Sequence, residues 1–332
     1  MEGRTFAELG RIEAIRQLFE GTGYVPFGEP LWCGAKAGEA CTSVSRLFTE
    51  GVDFNLVYFP LKHLGYKCVV EVTGEHYAVM SAPHTLSVIL GVSAKLDFDN
   101  IRELWEGIIA AAKEFGYRSV SLDLQPSRNG LAISVSAAGT ASSFSCSKRP
   151  KAKSKDLICV SGSLGAAYLG LQILERERSR FENGKTDKEE MEKYRMLVGA
   201  YLKPELSPGI VERLEEERLI PSFGYFVTRG LSDALLRLSR DSGLGVKVYA
   251  DKIPFEGGSF DFGKISDIDP ISAAMNGGDD CKLLFTVPIA EVERFRRDFQ
   301  TFDIIGHLAQ SDVGTVMVTP DGVELTVSAQ GW

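Results

Sequence analysis

The sequence predicts a two-domain protein of mixed helices and strands. An N-terminal α+β domain is expected over residues 1–140 and a C-terminal α/β domain over residues 156–332, with a linker at 141–155. The chain has 332 residues, which is enough for two domains of ordinary size. Hydrophobic residues make up 44% of it and charged residues 25%, as in folded globular proteins. Helix and strand patterns occur on both sides of one polar, then basic segment, GTASSFSCSKRPKAKSK.

The N-terminal pattern predicts four strands and two helices within residues 40–140, with both helices on one face of a sheet. Before them, apolar residues at helical spacing predict a helix over 5–20, and a Gly- and Pro-rich stretch over 24–40 predicts a loop and a weak hairpin. The expected elements that follow are a strand near 41–48, a helix from Pro60 toward Met80, a strand at 86–92, a helix from Phe98 to Gly116, and strands at 118–124 and 131–137.

The C-terminal pattern alternates helices and strands, which is typical of an α/β domain. Helices are predicted near 163–182, 187–202, 208–218 and 231–242, and strands at 157–160, 223–228, 246–250, 283–287, 303–309, 315–319 and 324–328. The segment PFEGGSFDFGKISDIDP, residues 254–270, shows no periodicity and is predicted to be an irregular insertion.

The stretch DLICVSGSLGAAYLGLQILERERSR, residues 156–180, predicts a strand, a tight turn at 161–165 and a long helix. Such a turn leaves the first N–H groups of the helix pointing outward, where they attract phosphate. Arg149, Lys151 and Lys153 precede the strand and are expected to reach the same anion. The alternatives are a close-packed turn that only small residues fit, and a solvated linker for the basic run 148–155.

Composition excludes several classes of protein. The net charge of −8 argues against a general nucleic-acid binder. Six scattered cysteines without a C-x-x-C pair indicate neither a zinc site nor a disulfide framework, and four histidines show no metal-ligand spacing. An N-terminus with acids among its apolar residues and no long apolar run predict neither a signal peptide nor a membrane span. A cytoplasmic protein is expected.

Residues 275–288, MNGGDDCKLLFTVP, place Asp279 and Asp280 in a Gly-Gly turn before an apolar strand. Two carboxylates there suit a metal or a cationic substrate, or simply form a solvated turn. This stretch resembles the GGEDYELLFTVP signature of thiamine-monophosphate kinases, which belong to the aminoimidazole-ribonucleotide synthetase-like superfamily. TEGVDF, GYK at 65–67, DLICVSGSLGAAYLGLQILERE, IGHLAQ and the terminal AQGW match the same family in the same order.

The resemblance implies a fold and a reaction. It implies that the N-terminal domain pairs with its symmetry mate in a homodimer with a shared β-barrel, and that ATP and thiamine phosphate bind between the domains. It also implies that ATP phosphorylates thiamine monophosphate to thiamine diphosphate, with Mg²⁺ held by carboxylates.

Several of the family's acids are replaced in this chain. The resemblance aligns family acids with Glu29, Arg46, Glu75, Asp123, Ser163, Phe226, Arg229 and Lys282. It aligns a family histidine with Asp53 and a family tyrosine with Cys281. A guanidinium cannot bind Mg²⁺, so only Glu29, Glu75 and Asp123 remain as weak metal candidates. The predicted phosphate contacts are Arg46, Asp123, Arg149, Gly162, Ser163, Gly165 and Arg229, and the predicted substrate contacts are Asp53, Asp279, Asp280 and Trp332.

Three functions follow from these residues. The first is a kinase-like protein with impaired or lost activity that still binds a small phosphorylated ligand, with Arg46 and Arg229 replacing metal charge. The second is an active ATP-dependent kinase acting on thiamine phosphate or a related phosphate. The third is a structural subunit, as in a heterodimer with an active relative. Arg46 and Arg229 are alternatively surface replacements, or they pair with Asp53, Glu75 or Asp123.

Overall fold

The computed structural model describes residues 9, 11–24, 36–182 and 188–329. The predicted hairpin near 24–40 falls mostly outside these residues, and Glu29 and Trp332 lie outside them as well. The contacts divide the chain into two compact units. The first unit comprises residues 1–76 and 81–146, and the second comprises residues 77–80 and 147–332.

The first unit is built on a four-stranded sheet in the order β1-β4-β2-β3. Its elements are α1 (Arg11–Phe19), β1 (Ala40–Thr49), α2 (Leu61–Ala78), β2 (Ser81–Ser93), α3 (Phe98–Glu114), β3 (Ser119–Ser127), β4 (Ala132–Ala141) and α4 (Ser143–Lys148). The last two residues of α2 and of α4 belong to the second unit. β2 and β3 run parallel, and β4 pairs antiparallel with both β1 and β2. The four strands and two helices predicted for residues 40–140 are confirmed.

Helices α2 and α3 pack closely because each has a glycine at their crossing. A Cβ atom at Gly65 would lie 2.1 Å from the carbonyl oxygen of Leu104, and one at Gly107 would lie 1.9 Å from that of Lys62. Any larger residue at either position would force the helices apart. The glycine of the GYK motif is therefore required by helix packing.

The second unit contains a seven-stranded sheet in the order β11-β10-β7-β9-β5-β8-β6. Its strands are β5 (Leu157–Val160), β6 (Gly224–Val227), β7 (Gly245–Tyr249), β8 (Lys282–Val287), β9 (Asp303–Ala309), β10 (Thr315–Val318) and β11 (Glu324–Thr326). Its helices are α5 (Ala166–Glu182), α6 (Lys188–Lys193), α7 (Arg195–Leu202), α8 (Ile210–Glu216), α9 (Leu231–Ser242), α10 (Ser259–Ser266), α11 (Pro270–Asn276) and α12 (Val292–Asp298). Strands β5 to β9 and helices α9 and α11 contribute to one buried core.

Two predictions for this unit are wrong. The helix expected at 187–202 is two helices, because Tyr194 leaves helical geometry with φ of −107° and ψ of 22°. The insertion predicted to be irregular contains the helix α10, bounded by left-handed residues at Gly258 (φ 89°) and Asp267 (φ 55°). Helix α10 has only eight residues, too few for a periodic pattern. It is held by Phe262, which packs edge-on against Tyr194 with ring centroids 5.3 Å apart.

Among the described helices, none combines the length and the hydropathy that a membrane span needs.

Candidate functional site at one edge of the second sheet

Three loops of the second unit meet at one edge of its sheet. β5 and β6 are both antiparallel to β8, so they run in the same direction and end where β8 begins. The turn after β5, the loop after β6 and the loop before β8 are joined by backbone hydrogen bonds. Asp279 N donates to Thr228 O at 2.8 Å, Cys281 N to Val227 O at 2.9 Å, and Ser161 N to Leu283 O at 2.9 Å.

The backbone at this edge is strained. Asp279 and Cys281 have positive φ angles of 62° and 53°, a region that side chains other than glycine seldom adopt. Strain of this kind is concentrated at binding and catalytic sites. Gly165, with φ of 77°, belongs to the same edge, and a Cβ there would lie 2.8 Å from the backbone nitrogen of Ala274 in α11. The edge is therefore both tightly packed and conformationally constrained.

The start of helix α5 is occupied by a carboxylate of the protein itself. Asp280 is only 3% exposed, and its two oxygens accept hydrogen bonds from Gly165 N at 2.8 Å and from Ala167 N at 3.3 Å. Burial raises the pKa of Asp280 to about 7, although these two backbone hydrogen bonds act to lower it. The expectation that the first N–H groups of this helix point outward unpaired is therefore wrong for Gly165 and Ala167.

Cationic side chains lie at the same edge. Lys282 extends over the turn, so that a Cβ at Gly162 would lie 3.7 Å from its Nζ. Arg229 is exposed at the end of β6. Within the described part of the chain, neither side chain forms an ion pair. Ser163 Oγ donates to Glu256 Oε2 at 3.3 Å, which connects the turn to the segment before α10.

Two residues of this edge were not among the predicted contacts. Lys282 was noted only as the replacement of a family glutamate, although its position two residues after Asp280 at the start of an apolar strand indicates that it belongs to the same edge. Glu256 gave no signal in the sequence, because its segment lacks periodicity and comes close to the turn only through the fold.

In the first unit, two of the replaced family positions form an ion pair. Arg46 on β1 donates from Nη2 to Glu75 Oε1 on α2 at 2.7 Å, and both side chains are about one-fifth exposed, at 22% and 20%. This is one of the pairings that the sequence left open for Arg46. Asp53 accepts hydrogen bonds from Thr49 N at 2.7 Å and Thr49 Oγ1 at 3.1 Å.

Asp123 does not join the pair of Arg46 and Glu75. The strand register places Arg46, Val135 and Val88 in one row on one face of the sheet. Asp123 pairs with Ile89, on the opposite face. β4 and β2 lie between β1 and β3, and at ~4.8 Å per strand the separation is about 14 Å. Within this unit, Glu75 and Asp123 therefore do not bind one metal ion together.

Arg149 and Lys151 lie at the other edge of the second sheet. They line a hollow with Ser222 and Phe223, which precede β6, whereas the turn at 161–165 follows β5. The expectation that these two cations share an anion with that turn is therefore not met. At the edge where β5 and β6 end, the predicted binding roles stay predictions; they concern Gly162, Ser163, Arg229 and Asp279.

Comparisons with known proteins agree with this architecture. No protein-family model matches the chain. The thiamine-monophosphate kinase of Pyrococcus horikoshii is 27% identical to it over 278 residues, which cover 81% of this chain and 78% of that protein.

Solved structures show the same two-domain fold. The thiamine-monophosphate kinase of Aquifex aeolicus, complexed with AMPPCP and TMP, superposes with a TM-score of 0.69 at 19% identity, covering 88% of this chain and 87% of that one. The hydrogenase maturation protein HypE in complex with ATP superposes with a TM-score of 0.67 at 18% identity, covering 98% and 94%. In sequence and in fold, the chain is thus similar to thiamine-monophosphate kinases, and in fold also to the hydrogenase maturation protein HypE.

Proposed function

We propose that the protein binds a small phosphorylated ligand, ATP or thiamine phosphate, and that its capacity for metal-dependent phosphoryl transfer is impaired. The ion pair between Arg46 and Glu75, at 2.7 Å, carries this proposal. Phosphoryl transfer depends on metal ions, held by carboxylates, that neutralise the charge of the transferred group. In this chain the guanidinium of Arg46 neutralises Glu75, which is one of the two metal-candidate carboxylates that the structure describes in the first unit; the other is Asp123.

The described residues do not fit the Mg²⁺ ion that the family implies. Arg46 has no lone pair to offer a metal, and its positive charge lies within hydrogen-bonding distance of the Glu75 oxygen that would bind one. Asp123 is on the opposite face of the sheet. Across the described ranges there is no group of three or more His, Cys, Asp or Glu side chains that could hold a metal ion.

Ligand binding is supported by the edge of the second sheet. Arg229 and Lys282 bring two positive charges to a strained turn region, and charged hydrogen bonds from such groups to phosphate are strong. The related structures contain AMPPCP, TMP and ATP, which are phosphorylated ligands. Since Asp280 already occupies the N–H groups of Gly165 and Ala167, we infer that side chains hold the phosphate here in place of the start of the helix.

We also propose that two chains pair through the first sheet, as the family's shared barrel implies. The face of that sheet opposite to Arg46 exposes Leu47 and Ile89, whose exposed fractions are 63% and 46%. A second copy packed on this face would remove that apolar surface from water.

Calorimetric titration with a non-hydrolysable ATP analogue, and separately with thiamine phosphate, tests the proposal when each is done with Mg²⁺ and with a chelator. Binding is expected to survive chelation. The variant Arg46→Asp restores an acid beside Glu75 and should gain Mg²⁺-dependent binding, whereas the matched control Arg46→Gln removes the charge without adding a ligand and should not.

Two results would contradict the proposal. Binding to the unmodified protein that requires Mg²⁺ would show that a metal site forms despite the ion pair. Formation of thiamine diphosphate from ATP and thiamine phosphate would show that the protein is an active kinase. If neither ligand binds, a structural role, such as that of a heterodimer subunit, becomes the better explanation.

A further inference from the structure

A small hollow lies at the edge of the second sheet opposite to the candidate site. It is formed where β8 ends, just before β6 begins and at the end of helix α8. Its volume is about 140 Å³, which at about 30 Å³ per water molecule is room for about five waters or for a ligand of similar size. All of its lining residues belong to the second unit, and none belongs to the edge that contains Arg229 and Lys282. Its function is therefore independent of the one proposed above.

The inner wall of this hollow is apolar. Leu219, Ile220 and Val287 line it and are buried, with exposed fractions of 4%, 5% and 3%. Proline has no N–H group to offer a ligand, and three prolines complete the wall. They are Pro150, Pro221 and Pro288. Such a wall favours a ligand with a carbon body, because that body is removed from water there.

Two cationic side chains line the same hollow. Lys148 ends helix α4 and Arg218 follows helix α8, and both are exposed. Neither forms an ion pair with a residue of the described ranges. The carboxylate of the wall, Glu291, is already paired, because Arg294 Nη1 donates to its Oε2 at 2.9 Å. The hollow therefore combines an excess of positive charge with apolar surface.

The backbone of Arg218 has a conformation that suits glycine. Helix α8 ends in a Schellman motif, in which Arg218 N donates to Glu215 O at 2.9 Å and Leu219 N donates to Leu214 O at 2.8 Å. The motif places Arg218 in the left-handed region, with φ of 54°, where a Cβ atom is unfavourable. An arginine at this position costs stability that glycine would not, which indicates that its side chain has a function.

We propose that this hollow binds a small organic carboxylate. The carboxylate group contacts Lys148 and Arg218, and the carbon body of the ligand lies against the apolar wall. A guanidinium pairs with a carboxylate through two parallel hydrogen bonds, and an ammonium adds a further donor and a second positive charge. The apolar wall favours a carboxylate with a carbon chain over an inorganic anion, which would leave that wall uncovered.

The test uses the full chain and butyrate as the probe, with binding followed by saturation-transfer NMR of the butyrate methyl group. Lys148→Gln together with Arg218→Gly should weaken butyrate binding at least about tenfold. The matched control is Lys151→Gln, which removes one charge from the same basic segment at a residue that does not line this hollow, and it should leave the affinity nearly unchanged. An equal effect of Lys151→Gln and Lys148→Gln would overturn the proposal, as would absence of butyrate binding.

The single variant Arg218→Gly separates binding from folding. Glycine suits the left-handed backbone, so the unfolding midpoint without butyrate should be unchanged or higher while butyrate binds more weakly. A lower midpoint with unchanged butyrate affinity would show that the arginine has a structural role, and would refute its contact with the ligand.

Two comparisons locate the bound ligand. Formate has the same charged group without the carbon chain, so it should bind at least about tenfold more weakly than butyrate, and equal affinities would refute contact with the apolar wall. The double variant Arg229→Gln and Lys282→Gln removes the cations of the candidate site and should leave butyrate binding unchanged. Loss of butyrate binding in that variant would place the ligand at the candidate site and overturn the proposal.

Discussion

Replacing Asp280 by asparagine should stabilise the protein at alkaline pH, although it weakens a helix cap. The carboxylate of Asp280 is buried at the start of α5 and is bound to Gly165 N and Ala167 N. Asparagine keeps one acceptor oxygen for the shorter hydrogen bond, which comes from Gly165 N. It places its amide NH₂ group near Ala167 N, the donor of the longer one. A protonated aspartate offers nearly the same pattern, so asparagine imitates the neutral form of this residue.

The magnitude follows from the pKa of Asp280, which burial raises from 3.8 to about 7 in the folded protein. Because the folded pKa lies above the unfolded one, the stability that this group contributes is present below about pH 4 and is lost as the pH rises through 7. The interval from about pH 5 to pH 7 spans two units, and at 1.36 kcal/mol per unit the loss is about 3 kcal/mol. Asparagine does not titrate and avoids this loss.

The measurement is urea unfolding of both proteins between about pH 5 and about pH 8.5. The free energy of unfolding of Asp280→Asn, relative to the unmodified protein, should rise by about 3 kcal/mol across that range. The control is Asp279→Asn, which removes an acid from the same loop at a residue that is only partly buried and whose left-handed backbone asparagine adopts readily. A difference for Asp280→Asn that stays constant with pH would refute the reasoning.

Three further predictions concern packing, the ion pair and the ligand. Gly65→Ala should lower the free energy of unfolding by about 2–3 kcal/mol in thermal or urea unfolding, because the new Cβ meets backbone atoms of the facing helix, whereas Gly199→Ala, where no atom lies within 4 Å, should be neutral or stabilising. A double-mutant cycle of Arg46→Ala and Glu75→Gln should give a coupling energy of about 1–2 kcal/mol, and a value near zero would remove the basis for the metal-replacing ion pair. Lys282→Gln should weaken the binding of an ATP analogue about tenfold and reduce its salt dependence, and unchanged calorimetric affinity would exclude this side chain from the site.

Much of the fold could be predicted from local patterns. The helix predicted at 231–242 is found with those bounds, because its apolar face repeats with helical spacing and Gly230 and Gly243 flank it. The helix at 259–266 could not be predicted, since eight residues with three apolar side chains show no clear period. Its position depends on the contact of Phe262 with Tyr194 and on the hydrogen bond of the preceding Glu256 with Ser163, both of which join residues distant in sequence.

The candidate site was predictable only as a set of segments. The motifs around residues 161–165 and 275–288 were each predicted as a binding segment, and the structure places the two loops together, since both flank neighbouring strands of one sheet. What each side chain does there was not predictable. Asp280 looked like a substrate contact, yet it caps a helix that begins 114 residues earlier in the chain.

The sequence by itself determined the two-domain class, most helices and strands, the family resemblance and the positions where family acids are replaced, because these depend on residue type and local spacing. Only the tertiary structure decided that Arg46 pairs with Glu75, that Asp123 lies on the other face of the sheet, and that Arg149 lines a separate hollow. The physical reason is that hydrogen bonds and ion pairs reach only a few ångströms, so partners are chosen by strand order and register, which sequence spacing does not specify.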